Sequence, residues 1–222
     1  MNRKIILFWS ILTMAYSALV LAQTSPPKLP DCPPKSQRIG GVPPTDKAIG
    51  CVDKQGRKQG VWLFFYDSGQ KRQQGEFING QEQGDWIMWH LNGKTRIQMS
   101  FVNGKAHGRL RSWYESGQLN EDGTFENDKR HGLSVGYHSN GQKAEEGSYW
   151  NDLREGEWTS WYVTGQIATQ EQWRHGLLHG AYVQWDEHGR KMAEGGYESG
   201  QKRGIWWIWP DPEMSPGMID YD

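Results

Sequence analysis

Seven histidines and a scatter of carboxylates are the side chains of this sequence best suited to catalysis or metal binding. The histidines are His90, His107, His131, His138, His175, His179 and His188. A zinc site needs three or four ligands converging at about 2 Å. Here His107, His131 and His179 each stand just before a glycine of a regular series, and His90 and His138 hold a position that elsewhere holds Tyr66, Tyr114 and Tyr162. Such phase-locking describes repeat positions that tolerate imidazole. In a strand ladder, same-position residues of successive units lie about 10 Å apart, so they do not converge on one ion. The carboxylates, among them Glu76, Asp85, Glu121, Glu145, Glu157, Glu171 and Glu194, alternate with Lys and Arg. A glycosidase pair has no fixed spacing, but a flat array of hairpins lacks the enclosing cleft that would raise one pKa. There is no Gly-x-Ser-x-Gly elbow, phosphate loop or His-Glu-x-x-His. The expectation is no catalytic residue, no metal and no cofactor.

The elements that position these side chains follow from self-comparison. Gly60, Gly84, Gly108, Gly132, Gly156, Gly180 and Gly204 are each 24 residues apart. A fixed period of this size marks a repeat architecture. Two positions on stand Trp62, Trp86, Leu110, Ser134, Trp158, Tyr182 and Trp206. Five positions on is an unbroken aromatic row: Phe65, Trp89, Trp113, Tyr137, Trp161, Trp185 and Trp209. Seventeen on is a second: Phe77, Phe101, Phe125, Tyr149, Trp173 and Tyr197. Fifteen on stand Gly75, Met99, Gly123, Gly147, Glu171 and Gly195. Turn signals separate the rows. One is Ser68-Gly69, Asn92-Gly93 and their equivalents; the other is Asn79-Gly80, Asn103-Gly104, Asn127-Asp128 and Asn151-Asp152. Such pairs supply the positive φ that tight hairpins require.

The pattern predicts an all-β chain: an elongated antiparallel meander of six tandem 24-residue β-hairpins forming a twisted sheet. One hairpin is marginal alone, and stacking neighbours makes each row a continuous ladder. The plus-two and plus-five rows have opposite parity and face opposite sides of a regular strand, unless a bulge brings them together. One row can be structural and the other a half-exposed binding surface; equally, both can be needed for packing. The plus-five row is the candidate binding surface.

The array occupies residues 51–209. Ahead of it, Asn2-Arg3-Lys4 is a basic start, Ile5 to Leu21 an apolar run of about 17 residues, and Val20-Leu21-Ala22 a small-residue processing site. Residues 1–22 read as a signal peptide cleaved after Ala22, placing the protein outside the cytoplasm, secreted or periplasmic; an uncleaved anchor is the alternative. Residues 23–50 hold seven of the ten prolines and read as an extended, irregular lead. Cys32 and Cys51 are the only cysteines. In an exported chain an even count suggests a disulfide, here tying the lead to the first repeat; two separate thiols are the other reading. Residues 210–222 carry Asp211, Glu213, Asp220 and Asp222 after Pro210 and read as a polar cap on the last strand.

Composition agrees. With 28 Gly and 13 Trp but only 36% hydrophobic residues, aromatic rings must supply most of the apolar contact, which suits thin turn-rich β architecture. Removing residues 1–22 leaves 23 basic against 26 acidic side chains, and no Lys/Arg run exceeds two. That balance speaks against a nucleic-acid partner.

The pattern Gly-x-Trp-x-x-Trp/Phe-Tyr-x-x-x-Gly, then Gly-x-Phe/Tyr-x-x-Gly, resembles the MORN-variant repeat, best at Gly60 to Gly84 and Gly156 to Gly180 and over about Cys51 to Trp209. Bacterial chains of such repeats resemble the group labelled YwqK-type antitoxins. The resemblance implies a hairpin array used for binding, without catalytic residues. The expected function is a non-catalytic, exported protein-interaction or scaffold module, with an antitoxin- or immunity-like role among the implications. The alternative is attachment to an envelope lipid or glycan through an aromatic face.

Overall fold

The structure, a computed structural model, describes residues 31–210 and 215–222. The expected signal peptide and residues 23–30 of the lead lie outside the described residues.

β1 (Gln37–Gly40) and β2 (Ala48–Val52) come first. Six hairpin units follow: β3 (Lys58–Phe65) with β4 (Lys71–Ile78), and β5 (Gln81–Trp89) with β6 (Thr95–Val102). The third pairs β7 (Lys105–Ala106) and β8 (Gly108–Trp113) with β9 (Leu119–Glu126). The fourth pairs β10 (Lys129–Arg130) and β11 (Gly132–Tyr137) with β12 (Lys143–Trp150). Then come β13 (Leu153–Trp161) with β14 (Ile167–Arg174), and β15 (Leu177–Trp185) with β16 (Lys191–Glu198). β17 (Gln201–Ile208) and β18 (Gly217–Asp220) close the series. All belong to one 18-stranded sheet, an open antiparallel meander in which strands pair with their sequence neighbours.

The turns obey the chemistry of their residues. Between units, Ile78 pairs with Gln81, leaving a two-residue turn in which Asn79 (φ 53°) and Gly80 (φ 84°) are both left-handed. That is the primed turn whose twist suits a hairpin. Where aspartate replaces glycine, at Asp128 (φ 70°) and Asp152 (φ 71°), the carboxylate offsets the strained backbone. Asp128 accepts from the Ala106 N–H at 2.7 Å, and Asp152 from the Arg130 N–H at 2.7 Å, so each latches to the preceding unit's turn. Within units the connection is longer: Gly69 N–H donates to the Tyr66 carbonyl and Tyr66 N–H donates to the Gln70 carbonyl, with only Gly69 left-handed.

Two terminal segments differ from expectation. The Pro-rich lead, read as irregular, forms β1 and β2, and β1 pairs with β2 from Gln37↔Val52 to Gly40↔Ile49. Its prolines fall outside these strands, so the backbone donors needed for the ladder are available. Cys32 and Cys51 are disulfide-bonded. The C-terminal tail, read as a cap, supplies β18, with Ile219 opposite Trp206 and Met218 opposite Trp207. Its apolar residues extend the sheet by one more strand and cover Trp206, which is 1% exposed.

The glycine that sets the period sits inside a strand with positive φ, for example Gly84 at 67°. Glu76 pairs with Gln83 but Gln74 with Ile87, so β5 bulges opposite Gly75. The bulge lays the Trp86 ring flat across Gly75: a Cβ there would lie 2.1 Å from the indole. The same pairing recurs at Gly50–Trp62, Gly147–Trp158 and Gly195–Trp206. Glycine is required here by the absence of space. The plus-fifteen glycine and the plus-two tryptophan are therefore one structural unit in these four places, whereas at another Glu171 stands in place of the glycine and faces Tyr182.

Candidate functional site

The two sides of the sheet carry different aromatic rows, as parity requires. On the indole face, Trp62, Phe77 and Trp86 pack with Val52, and Phe64, Met99 and Phe101 close around them. The rings meet edge to face, with Phe77 to Trp86 centroids 5.0 Å apart and Tyr197 to Trp206 also 5.0 Å. Three indoles donate to a carbonyl of the preceding strand: Trp62 to Cys51, Trp158 to Ser148 and Trp206 to Gly196, at 3.0–3.1 Å. Over the same three lies a cation: Lys58 Nζ at 4.8 Å from the Trp62 ring, Arg154 at 4.0 Å from Trp158 and Lys202 at 4.2 Å from Trp206. Each such contact contributes about 0.5–1 kcal/mol at a partly exposed site.

The opposite face carries the plus-five candidates. Phe65 departs from the expected contact role: at 2% exposed, packed with Ile49 and Leu63, it is core. The lead is the reason, because β2 covers the first repeat and supplies Ile49. Trp89, Trp113, Tyr137, Trp161, Trp185 and Trp209 are half-buried. Lysines approach three of these rings, Lys71 over Trp89 at 5.9 Å, Lys143 over Trp161 at 5.6 Å and Lys191 over Trp209 at 5.7 Å. Lys143 and Lys191 are ion-paired to Glu146 and Glu194, so the rings sit among exposed charged side chains.

His90 and His138, which share the tyrosine position, are structural. Tyr66 Oη donates to the Trp89 carbonyl at 2.7 Å, Tyr114 Oη to Tyr137 at 2.7 Å and Tyr162 Oη to Trp185 at 2.8 Å. His90 Nε2 makes the same bond to the Trp113 carbonyl, and His138 Nε2 to Trp161, each at 2.8 Å. A carbonyl only accepts, so these imidazoles carry hydrogen on Nε2. Each bond ties one unit to the next. Among the described residues no group of three or more His, Cys, Asp or Glu is placed to hold a metal ion.

The residues that build this repeated geometry match a known sequence repeat. The model of the MORN repeat variant matches residues 58–79, 82–103, 106–127 and 130–151. Four tandem stretches of the chain are thus similar to the MORN repeat variant. The matched stretches coincide with the first four hairpins, each running from two residues before the bulge glycine to the first residue of the primed turn. β13–β14 and β15–β16 continue the same hairpin pairing beyond them. No curated protein matches the chain.

Sequence reasoning passed over the middle of the indole face. At Ser134 the plus-two ring is missing although its glycine, Gly123, is kept. The plus-four position, Phe64 and Met88 in the first two units, is Gly136 here. The result is an open cleft of about 520 Å³ lined by Glu121, Arg130, Ser134, Gly136, Glu145 and Tyr149, among others. Arg130 pairs with Glu121 and lies 5.3 Å from the Tyr149 ring. Burial lowers the Arg130 pKa, but the Glu121 hydrogen bond and charge outweigh it and hold the pKa above the ordinary value. Arg154 pairs with Glu145 at 2.7 Å across the neighbouring strand. The signal was in the sequence: Ser134 is the one polar residue in the plus-two row.

Proposed function

We propose that this protein is a non-catalytic, exported binding module that holds a protein partner on the face carrying Trp89, Trp113, Tyr137, Trp161, Trp185 and Trp209. The observation that carries the reading is the run of half-buried rings along one open face of an uninterrupted sheet. Rings with one side free and a polar rim around them are the composition of protein-interaction surfaces. Export is supported by the signal-peptide pattern of residues 1–22 and by the Cys32–Cys51 disulfide, since such bonds persist in oxidising compartments. An immunity-like role, as the resemblance to YwqK-type antitoxins implies, fits this reading if the bound protein is itself exported.

The test is partner capture from an envelope extract by the intact protein and by the Trp161→Ala/Trp185→Ala variant. The expected result is one stoichiometric protein captured by the parent and lost by a variant that still folds. If the double variant unfolds, the row is core and the reading fails.

A second reading is attachment to an envelope lipid, favoured by apolar side chains at the hairpin tips. Trp150 is 56% exposed, and Leu153 and Leu177 are 45% and 50% exposed on neighbouring turns. Aromatic and aliphatic tips of this kind suit a membrane interface. Co-sedimentation with anionic vesicles, abolished by Trp150→Ser, distinguishes it from protein capture.

A further inference from the structure

We propose that the cleft at Ser134, on the indole face, is a binding site for a neutral saccharide. Tyr137 of the proposed protein-contact row also lines it, but the site is built from Ser134 and its neighbours and does not depend on that row's function.

The argument begins with what the repeat gives up. In four places an indole covers a glycine of the preceding strand. At the equivalent place on β11 the glycine, Gly123, is kept, but Ser134 replaces the ring; a Cβ on Gly123 would lie 3.3 Å from the Ser134 hydroxyl, in place of the 2.1–2.3 Å contacts at the tryptophans. The neighbours that hold an indole elsewhere are still present. Phe125 and Tyr149 flank the position as Phe77 and Phe101 flank Trp86, and Arg130 stands where Arg154 stands over Trp158. A chain selected only for stability would fill this place with the ring that its neighbours accommodate; places that break a repeat's own rule are where function is expected.

The second observation is Ser134 itself. It is 7% exposed, the one buried polar side chain of the described residues, and it lines the cleft. Its side chain forms part of the cleft wall, together with Glu121, Arg130 and Tyr149. A serine hydroxyl in the wall of a cleft can both donate to and accept from the hydroxyl of a ligand.

The walls define the ligand. Glu121 and Arg130 are paired, as are Glu145 and Arg154, so the cleft offers donors and acceptors with little net charge. A free anion or cation finds no unopposed charge there. Asn120 donates to Ser112 at 3.1 Å, which leaves its side-chain carbonyl to accept. The Tyr149 ring provides an apolar wall. Alternating donors and acceptors beside an aromatic ring suit a molecule with many hydroxyls and apolar C–H faces. The volume of about 520 Å³ falls within the range of about 300–1,000 Å³ usual for small-molecule sites. A peptide strand is disfavoured: the backbone of β11 and β12 is engaged in the ladder from Gly132↔Tyr149 to Tyr137↔Lys143, so no edge is free for strand addition.

The test is amide-resolved NMR of the intact protein with maltose, cellobiose and N,N′-diacetylchitobiose at millimolar concentration. At least one sugar is expected to shift the amides of Ser134, Gly136 and Ser160 in a saturable way. Ser134→Trp fills the cleft and should abolish those shifts while raising the melting temperature. Ser134→Ala keeps the cleft and the fold, removes one hydrogen bond, and should weaken binding roughly three- to tenfold. The proposal is overturned if none of the three sugars moves these amides, or if the Ser134→Trp protein binds as the parent does. It is also overturned if a Trp- or Gly-containing peptide, and no sugar, occupies the cleft.

Discussion

Gly75 shows how little room the indole face leaves. Its missing Cβ would sit 2.1 Å from the Trp86 ring, and that ring is held between Phe77 and Phe101. Gly75→Ala must push the indole off its seat, a cost of about 1–3 kcal/mol for overpacking. The expected outcome is a lower melting temperature together with a weakened near-ultraviolet circular dichroism signal from Trp86. Gly141→Ala meets nothing within 4 Å but sits at φ 89°; it should lower the melting temperature through the backbone alone and leave the indole signal intact. Asp186 provides a residue-scale test of charge. The side-chain hydrogen bond from Arg190 pulls its carboxyl down most, followed by the Arg190 backbone N–H, to about 2. A depressed carboxylate pKa contributes stability above its unfolded value, near 4, and that contribution is lost as pH falls towards 2. An NMR titration should place the Asp186 midpoint near 2, and Arg190→Gln should move it up towards the ordinary carboxylate range.

Between elements, the recurring bond is the one from the turn-entry side chain to the next unit's carbonyl. Tyr114→Phe removes the Tyr114 donor to Tyr137 without removing the ring. The expected loss is about 0.5–1.5 kcal/mol by denaturant melt, with faster amide exchange at β9 and β11. His138→Tyr should be neutral, because tyrosine makes the same bond at three other units. The turns were legible in the sequence because Asn-Gly is a local signal with a local cause. Asn127-Asp128 was legible only as a turn. That Asp128 accepts from Ala106 of the preceding unit follows from the stacking of turns, which no local pattern states.

Across the whole molecule, an open sheet of sequence neighbours has stability that is close to a sum over adjacent strands. Its ends are the weak points, and both are reinforced: the disulfide holds β1 and β2 at one end and β18 covers β17 at the other. The bridged cysteines are 19 residues apart, so reduction should cost about 3 kcal/mol by the loop-entropy argument. Hydrogen exchange should then show protection lost at β1 and β2, with β12 to β14 unchanged. Equal loss along the whole sheet would show that the array unfolds as one unit.

The period, the two aromatic rows, the primed turns and the all-β meander were determined by the sequence alone, because each rests on a spacing or a backbone preference carried by a few adjacent residues. The pairing of Cys32 with Cys51 was open to it and was decided by β2. Tertiary structure decided the rest. In four places the bulge at the period-setting glycine turns the plus-two ring onto a glycine of the neighbouring strand, so Gly75 and Trp86 become one unit although they are 11 residues apart. The same contact makes Ser134 a vacancy and not merely a tolerated substitution. Phe65 belongs to the row by sequence and to the core by position, since β2 covers it and nothing in its own repeat says so. Local chemistry selects the strand and the turn; whether a side chain is buried, exposed or missing from a packed row depends on the strand beside it.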